Sequence, residues 1–273
     1  MKYILSILLL LPNLIFGYNN ELVKTSLNLS QSAYCVNNTD NWNCETCDKT
    51  NKIHYIIEKR GTRVLIGYNK KYNSYFVSFR GSSNIQNWIN NMHVRKIYPY
   101  YNLPDIGVDK GFYEQMMYNY KLILNCLNEL SKQYDTKKII LTGHSSGAAT
   151  STLMAFNLEI DYKHQYEMYS LITFGSPRIG NSEFVNLFRN YNFISYRITH
   201  YYDIVPHLPL ESLGYNHIPQ EVWYNEDNTK YKLCNDYYTE DEKCSNSCYP
   251  LNCDSISDHK YYLNITFGID GNC

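Results

Sequence analysis

From Lys138 to Ile198 the chain alternates between short apolar runs and helical stretches, and this alternation constrains the fold more than any other feature. Lys138 to Thr142, Met168 to Phe174 and Phe193 to Ile198 are rich in Ile, Leu, Phe and Tyr and read as strands. Ser146 to Glu159 and Asn181 to Asn190, lying between them, read as helices. Strands that alternate with helices pair in parallel, and the helices cover both faces of the sheet. Three further runs, His54 to Glu58, Thr62 to Tyr68 and Ser74 to Phe79, follow one another without a helix, so they add an antiparallel edge. Gly111 to Tyr134 carries Phe112, Met116, Tyr120, Ile123, Leu127 and Leu130 at spacings of three or four, which is one helical face. The expected class is α/β, with a mostly parallel central sheet.

A length of 273 residues suits one such domain, and 44% hydrophobic residues supply its core. Lys and Arg total 25 against 26 Asp and Glu, with no basic block, which argues against a nucleic-acid partner. Polar stretches at residues 69–71, 102–105 and 225–230 read as loops inside the domain. The segment after Tyr224 is polar and cysteine-rich and reads as loops stapled by disulfides.

The first residues point outward. Lys2 precedes an apolar run from Tyr3 to Phe16, broken by Ser6, Pro12 and Asn13, and a small residue follows at Gly17. That run is too short for a membrane span and has the layout of a secretory leader, residues 1–17, which leaves 18–273 as the mature domain. No later stretch reads as a transmembrane anchor, so the expected location is secreted or lumenal. All 9 cysteines follow Gly17, as an oxidising compartment would favour. Sequons at Asn28, Asn37 and Asn264 offer glycosylation sites. Zinc is the rival reading of Cys44-Glu-Thr-Cys47 and of the cluster from Cys244 to Cys253, but the spacings lack two regular pairs or a Cys/His set.

The chemistry sits at one strand-to-helix junction. Gly143-His144-Ser145-Ser146-Gly147 follows Lys138 to Thr142 and opens a helical run through Ala148 and Ala149. Gly-x-Ser-x-Gly in this setting raises a serine hydroxyl on a sharp turn, and the glycines let strand and helix nearly touch. The next amide, that of Ser146, lies at a helix N-terminus, where a developing oxyanion is favoured. A Gly/Ser turn that merely closes a βα unit is the plain alternative. A nucleophilic serine needs a histidine base and an orienting acid, in the chain order Ser, Asp or Glu, His. Asp203 lies just past the strand Phe193 to Ile198, where α/β sheets place their ligand crevice. Spacing alone leaves His207, His217 and His259 all open as the base.

These residues resemble the fungal-type (class 3) lipase family of α/β-hydrolases over most of the mature chain. The resemblance rests on Ser32-Ala-Tyr-Cys35, Ser78-Phe-Arg-Gly-Ser82 with Asn87-Trp88-Ile89, Gly111-Phe112 and Thr142-Gly-His-Ser-Ser-Gly147. It continues through Thr173-Phe-Gly-Ser-Pro-Arg-Ile-Gly-Asn181, the run from Tyr196 to Pro209, Gly214 to His217, Glu221-Val-Trp223 and Asp258-His259-Lys-Tyr-Tyr262. It implies an α/β-hydrolase fold with Ser145 as nucleophile, Asp203 as acid and His259 as base, and it demotes His217. It implies an oxyanion hole from Ser82, by amide and hydroxyl, and from the amide of Ser146. It also implies disulfides Cys35–Cys273 and Cys44–Cys47. Cys126, within the long amphipathic helix, is then the unpaired thiol, and Cys234, Cys244, Cys248 and Cys253 have three pairings open. This chain departs from the family at Ser146 and Ala148 and across Cys234 to Cys253.

Ile85, Trp88 and Ile89, with Met92 beyond, share one helical face, and the other face is Asn and Gln. The pattern alone describes a core-facing helix. The resemblance makes it a lid that closes over an apolar cleft and opens at an oil–water interface. The expected activity is triacylglycerol hydrolysis through an acyl-enzyme on Ser145, with a lipid ester at an oil–water or membrane interface as partner and no cofactor or metal. Phospholipase A1 or general carboxylesterase activity on the same fold is the alternative within enzymes. A catalytically dead lipid-binding module is the alternative outside them.

Overall fold

The computed structural model describes residues 17–36, 39, 41–92, 94–237, 240–248 and 252–273. The leader expected over residues 1–17, apart from Gly17, and the sequon residue Asn37 lie outside the described residues.

Eight strands form the central sheet and lie side by side in chain order. They are β1 (Asn51–Lys59), β2 (Thr62–Asn69), β3 (Ser74–Phe79), β4 (Lys138–His144), β5 (Glu167–Phe174), β6 (Ile194–His200), β7 (Glu221–Tyr224) and β8 (Tyr231–Leu233). From β3 to β7 the pairing is parallel. β1, β2 and β3 are antiparallel to one another, as are β7 and β8. Helices α1 (Asn20–Ser32), α2 (Ile85–Asn90), α3 (Lys110–Ser131), α4 (Ser146–Asp161), α5 (Ser182–Phe188) and α6 (Ile256–His259) complete the main elements.

Both faces of the sheet are buried, because successive strand residues point to opposite sides. Val64, Ile66, Ile139, Leu141 and Leu171 face one core with Met116, Ile123 and Leu127 of α3, Leu153 and Phe156 of α4 and Phe184 of α5. Leu65, Ile140, Ile172 and Ile198 face the other with Leu22, Val23, Leu27 and Leu29 of α1. Each such side chain, fully buried, contributes about 1.5–3 kcal/mol.

Two elements depart from the sequence reading. α1 was not legible, since Asn, Ser and Thr dilute its apolar pattern. Thr25, Ser26, Ser30, Gln31 and Ser32 are buried, while Asn20, Glu21 and Lys24 face solvent. Ser30 Oγ bonds Thr142 Oγ1 at 2.7 Å, and Ser78 Oγ donates to the Leu29 carbonyl at 2.8 Å, so hydroxyls on the sheet satisfy this helix. The second departure is the β7–β8 hairpin. The stretch after Tyr224 reads as loops, yet Tyr231–Leu233 pairs with β7 across a turn at residues 225–230. An edge strand of three residues with Tyr231 44% and Leu233 55% exposed has no burial pattern to betray it.

Four disulfides staple the fold: Cys35–Cys273, Cys44–Cys47, Cys234–Cys244 and Cys248–Cys253. The last two select one of the three open pairings. Cys126 is a half-buried free thiol whose pKa is raised by burial. His207 lies near Cys248 and Cys253, and Glu221 near Cys234 and Cys244, but these sulfurs are bonded in pairs and a metal would need them as thiolates. Asn264 is exposed, whereas Asn28 is half-buried within α1 and its sequon Ser30 is bonded to Thr142. Among the described residues no helix is long and apolar enough to cross a membrane.

Cys35–Cys273 closes a separation of 238 residues and ties the end of α1 to the C-terminus. Gln31 reinforces the junction by donating to the carbonyls of Gly268 and Asn272. Loop-closure entropy assigns such a link about 5 kcal/mol. The double substitution Cys35→Ser and Cys273→Ser is expected to lower unfolding free energy by about 2–5 kcal/mol, read as an earlier midpoint in reversible denaturation.

Candidate active site

Ser145 directly follows β4 and takes the N-cap position of α4 with φ 59° and ψ −131°, a conformation that non-glycine residues avoid. The elbow holds because the surrounding backbone is packed to contact. A Cβ on Gly143 would lie 2.4 Å from the Gly147 carbonyl oxygen, and one on Gly147 would lie 2.2 Å from that of Phe79. The Ser145 amide donates to the Phe174 carbonyl at 2.9 Å, fixing the turn to β5. α4 begins at Ser146, so the Ser146 amide, the first of the helix, has no intrahelical acceptor and is placed to serve a negative oxygen, whereas the Ala148 amide donates to the Ser145 carbonyl at 2.9 Å.

Asp203 follows β6 by three residues, and His259 ends α6. The loops that carry them are joined: the Ser255 amide donates to the Tyr202 carbonyl, and the Ile204 amide to the Ser255 carbonyl. His259 Nδ1 lies 2.9 and 2.8 Å from the two oxygens of Asp203. A carboxylate accepts, so Nδ1 carries the proton and Nε2 is left bare, as a base requires. Asp203 takes two further donors, the Val205 amide at 2.8 Å on Oδ1 and the Tyr262 hydroxyl at 2.5 Å on Oδ2. Burial, and then the charge of Asp203, pushes the Tyr262 phenol well above its ordinary pKa, so it keeps the proton it donates. Gly175 sits against this pair with φ 55°; a Cβ there would come within 2.9 Å of Asp203 Oδ2 and of the His259 ring.

Ser145 and His259 are fully buried and Asp203 is 1% exposed, so the group lies under cover. Ser145 Oγ and His259 Nε2 have no hydrogen-bond partner among the described residues. A buried hydroxyl and a buried imidazole nitrogen without partners have the complementary chemistry of a candidate nucleophile and base.

The other histidines after Ser145 lie in different settings. His217 Nε2 meets the Pro206 carbonyl at 2.7 Å, and His200 bonds the carbonyls of Asp258 and Glu226. His207 is buried beside Cys248, and burial, helped by Arg178, pushes its pKa down to about 4. His164 is exposed. Of the three left open by spacing, His259 is the one whose ring nitrogen bonds both oxygens of Asp203.

Ser82 lies three residues beyond β3, beside the elbow: a Cβ on its neighbour Gly81 would be 3.0 Å from Ser145 Cβ. The Ser82 hydroxyl donates to the Asn84 carbonyl at 3.1 Å, at the start of α2. Asn84 caps α2 through its side chain, which accepts from the Asn87 amide. In α2, Ile85 is buried, Trp88 and Ile89 are half-buried, and Gln86, Asn87 and Asn90 are exposed. Trp88 stacks on Phe112 with ring centroids 6.1 Å apart. Sequence reading did not single out Tyr262 or Gly175; both lay inside motifs quoted for the resemblance, but their roles are set by three-dimensional contact alone.

This geometry can be set beside known proteins. Residues 76–213 match the family model of class 3 lipases. The chain is 33% identical over 257 residues to a lipase of Rhizomucor miehei, covering 88% of this chain and 68% of that one. It is 31% identical over 212 residues to the secreted mono- and diacylglycerol lipase 1 of Fusarium solani, covering 71% of this chain and 60% of that one. A solved triacylglycerol lipase, described as having a serine protease triad at its catalytic centre, superposes with a TM-score of 0.82 at 29% identity, covering 92% of this chain and 96% of that one. The strained serine between β4 and α4, the parallel sheet that presents it and this likeness along most of the sequence lead to one assignment: the chain belongs to the class 3 lipase family.

Proposed function

We infer that the protein is a secreted serine ester hydrolase of the triacylglycerol lipase type, with Ser145, Asp203 and His259 as its catalytic triad. The observation that carries this reading is the Asp203–His259 pair beside a strained serine, with Ser145 Oγ and His259 Nε2 both left unpartnered. Ser145 attacks the ester carbonyl while His259 Nε2 takes its proton. Asp203 holds the Nδ1–H tautomer and stabilises the imidazolium. The amides of Ser82 and Ser146 stabilise the tetrahedral oxyanion, joined by the Ser82 hydroxyl once it leaves Asn84. His259 then protonates the departing alcohol and activates the water that releases the fatty acid. Each step uses side chains and amides of this chain alone. Secretion is supported by the apolar leader and by the pairing of eight cysteines.

α2 is the lid in this reading. Trp88 and Ile89 of its apolar face are half-buried against protein in water and would be more fully buried in lipid. For Trp88 the difference is about 2 kcal/mol, a factor of about 30 in a two-state lid equilibrium. Hydrolysis of a sparingly soluble triglyceride is therefore expected to rise sharply above its solubility limit. Trp88→Ser is expected to cut the ratio of emulsion rate to monomer rate by about tenfold, with the monomer rate within about twofold of wild type. The purified protein assayed on a triglyceride emulsion and on phospholipid vesicles checks both points. Saturation below the solubility limit, or turnover of the phospholipid only, would replace this reading with a carboxylesterase or a phospholipase A1.

A further inference from the structure

We propose that Tyr34 and His144 form a fixed-direction hydrogen-bond relay that positions the loop of the catalytic histidine against the nucleophile elbow. The proposal rests on the reading of Ser145 and His259 given above. His144 directly precedes Ser145 and is buried. Its Nε2 lies 2.7 Å from the backbone carbonyl oxygen of His259, and its Nδ1 lies 2.9 Å from the Tyr34 hydroxyl.

The direction follows from the partners. A carbonyl only accepts, so His144 Nε2 carries a proton. A neutral imidazole has one N–H, which leaves Nδ1 bare to accept from the Tyr34 O–H. Burial, and secondarily the proximity of His259, holds His144 well below the ordinary imidazole pKa, so the ring is neutral. Burial raises the Tyr34 phenol, so it keeps the proton it must donate. One tautomer and one polarity satisfy every group in the chain, from Tyr34 O–H to His144 and from His144 N–H to the His259 carbonyl.

The relay joins the segments that the chemistry must align. The His144 ring lies flat on Phe267, centroids 4.0 Å apart and planes 3° apart, and 4.5 Å from the His259 ring. Its carbonyl bond therefore sets how far the His259 backbone stands from the residue that bears the nucleophile. Tyr34 reaches the third segment: a Cβ on Gly81, the neighbour of Ser82, would lie 2.3 Å from the Tyr34 hydroxyl and 2.5 Å from the His144 carbonyl oxygen. Tyr34 itself is anchored next to Cys35, which is bonded to Cys273. Neither Tyr34 nor His144 is needed for a proton-transfer step, so both are positioning residues.

The test combines kinetics on a soluble short-chain ester with a measurement that turnover does not affect. Tyr34→Phe is expected to lower kcat about 5-fold and His144→Gln about 10-fold, with KM within about twofold, because alignment rather than substrate binding is lost. His144→Gln keeps an amide donor for the His259 carbonyl, so His144→Leu should fall further. Because the bonds act in series, the double variant Tyr34→Phe/His144→Gln should be no slower than His144→Gln alone, whereas independent packing defects would multiply. Melting temperatures recorded beside these rates separate misalignment from unfolding. Nitrogen NMR of the wild-type protein should show His144 protonated at Nε2 and bare at Nδ1. A wild-type protein that hydrolyses no ester would overturn the assignment of Ser145. Normal wild-type turnover with multiplicative or absent effects in the variants would overturn the relay alone. An Nδ1–H tautomer at His144 overturns the relay whatever the enzyme hydrolyses.

Discussion

Ser145→Ala is expected to lower kcat by about 10⁵–10⁶-fold and leave the fold intact. Both halves of the expectation come from the local structure. The hydroxyl has no partner among the described residues, so its removal orphans no group there. The backbone stays where it is, because alanine has the same Cβ as serine and the same objection to φ 59°. The elbow is held from outside, by the Phe174 carbonyl and by the close approach of Gly143 to Gly147. Unfolding midpoints should therefore agree within about 0.5 kcal/mol of stability. In the reaction, by contrast, no other described group stands in for Ser145 Oγ as the nucleophile beside His259. Residual rate would come from the oxyanion donors and substrate binding alone. Hydrolysis of a soluble ester and labelling by a fluorophosphonate are the two measurements. An alanine variant that retains ester turnover near wild type removes Ser145 from the mechanism and with it the roles given to Asp203 and His259.

How far the sequence foretells this site depends on what each part of it rests on. Ser145 was legible because the elbow needs glycines on both sides of a strand-to-helix junction, and that need is written within five consecutive residues. The parallel core was legible for the same kind of reason, since short apolar runs that alternate with helical stretches leave a local signature. His259 was not separable from His207 and His217 by spacing. What distinguishes it is the bond to Asp203, which joins residues 56 apart. The resemblance to a family is what pointed to His259 in the sequence. α1 stayed hidden because its energetics are tertiary: Ser30 and Leu29 are satisfied by Thr142 and Ser78, and a pattern rule counts a buried serine as a polar residue. Tyr262 and Gly175 were likewise invisible as individuals. A tyrosine near a C-terminus and a glycine after a strand carry no signal until a carboxylate is placed between them.

Asp203→Asn is expected to cost about 10⁴-fold in kcat with little change in structure, because the substitution reverses a tautomer rather than removing a contact. The argument begins with the Val205 amide, which donates to Oδ1 at 2.8 Å. An asparagine must keep its carbonyl oxygen there, or two N–H groups would face each other. Its NH₂ then occupies the place of Oδ2, which faces the Tyr262 hydroxyl and His259 Nδ1. Tyr262 can adapt, since a phenol oxygen accepts as well as donates. His259 Nδ1 keeps the carbonyl oxygen at 2.9 Å on one side, but it can meet the new donor on the other side only by giving up its proton, and a neutral ring then carries that proton on Nε2. The nitrogen that must accept the Ser145 proton is now itself protonated, and the imidazolium no longer has a carboxylate beside it. Asp203→Ala should be equally slow but less stable, since it leaves the Val205 amide and the Tyr262 hydroxyl without their acceptor, at about 1–3 kcal/mol for each buried group. Rates on a soluble ester, melting temperatures and the His259 tautomer by nitrogen NMR separate the two variants. A slow asparagine variant whose His259 keeps its proton on Nδ1 would mean that Asp203 acts through charge alone, and the part assigned to its geometry would have to be withdrawn.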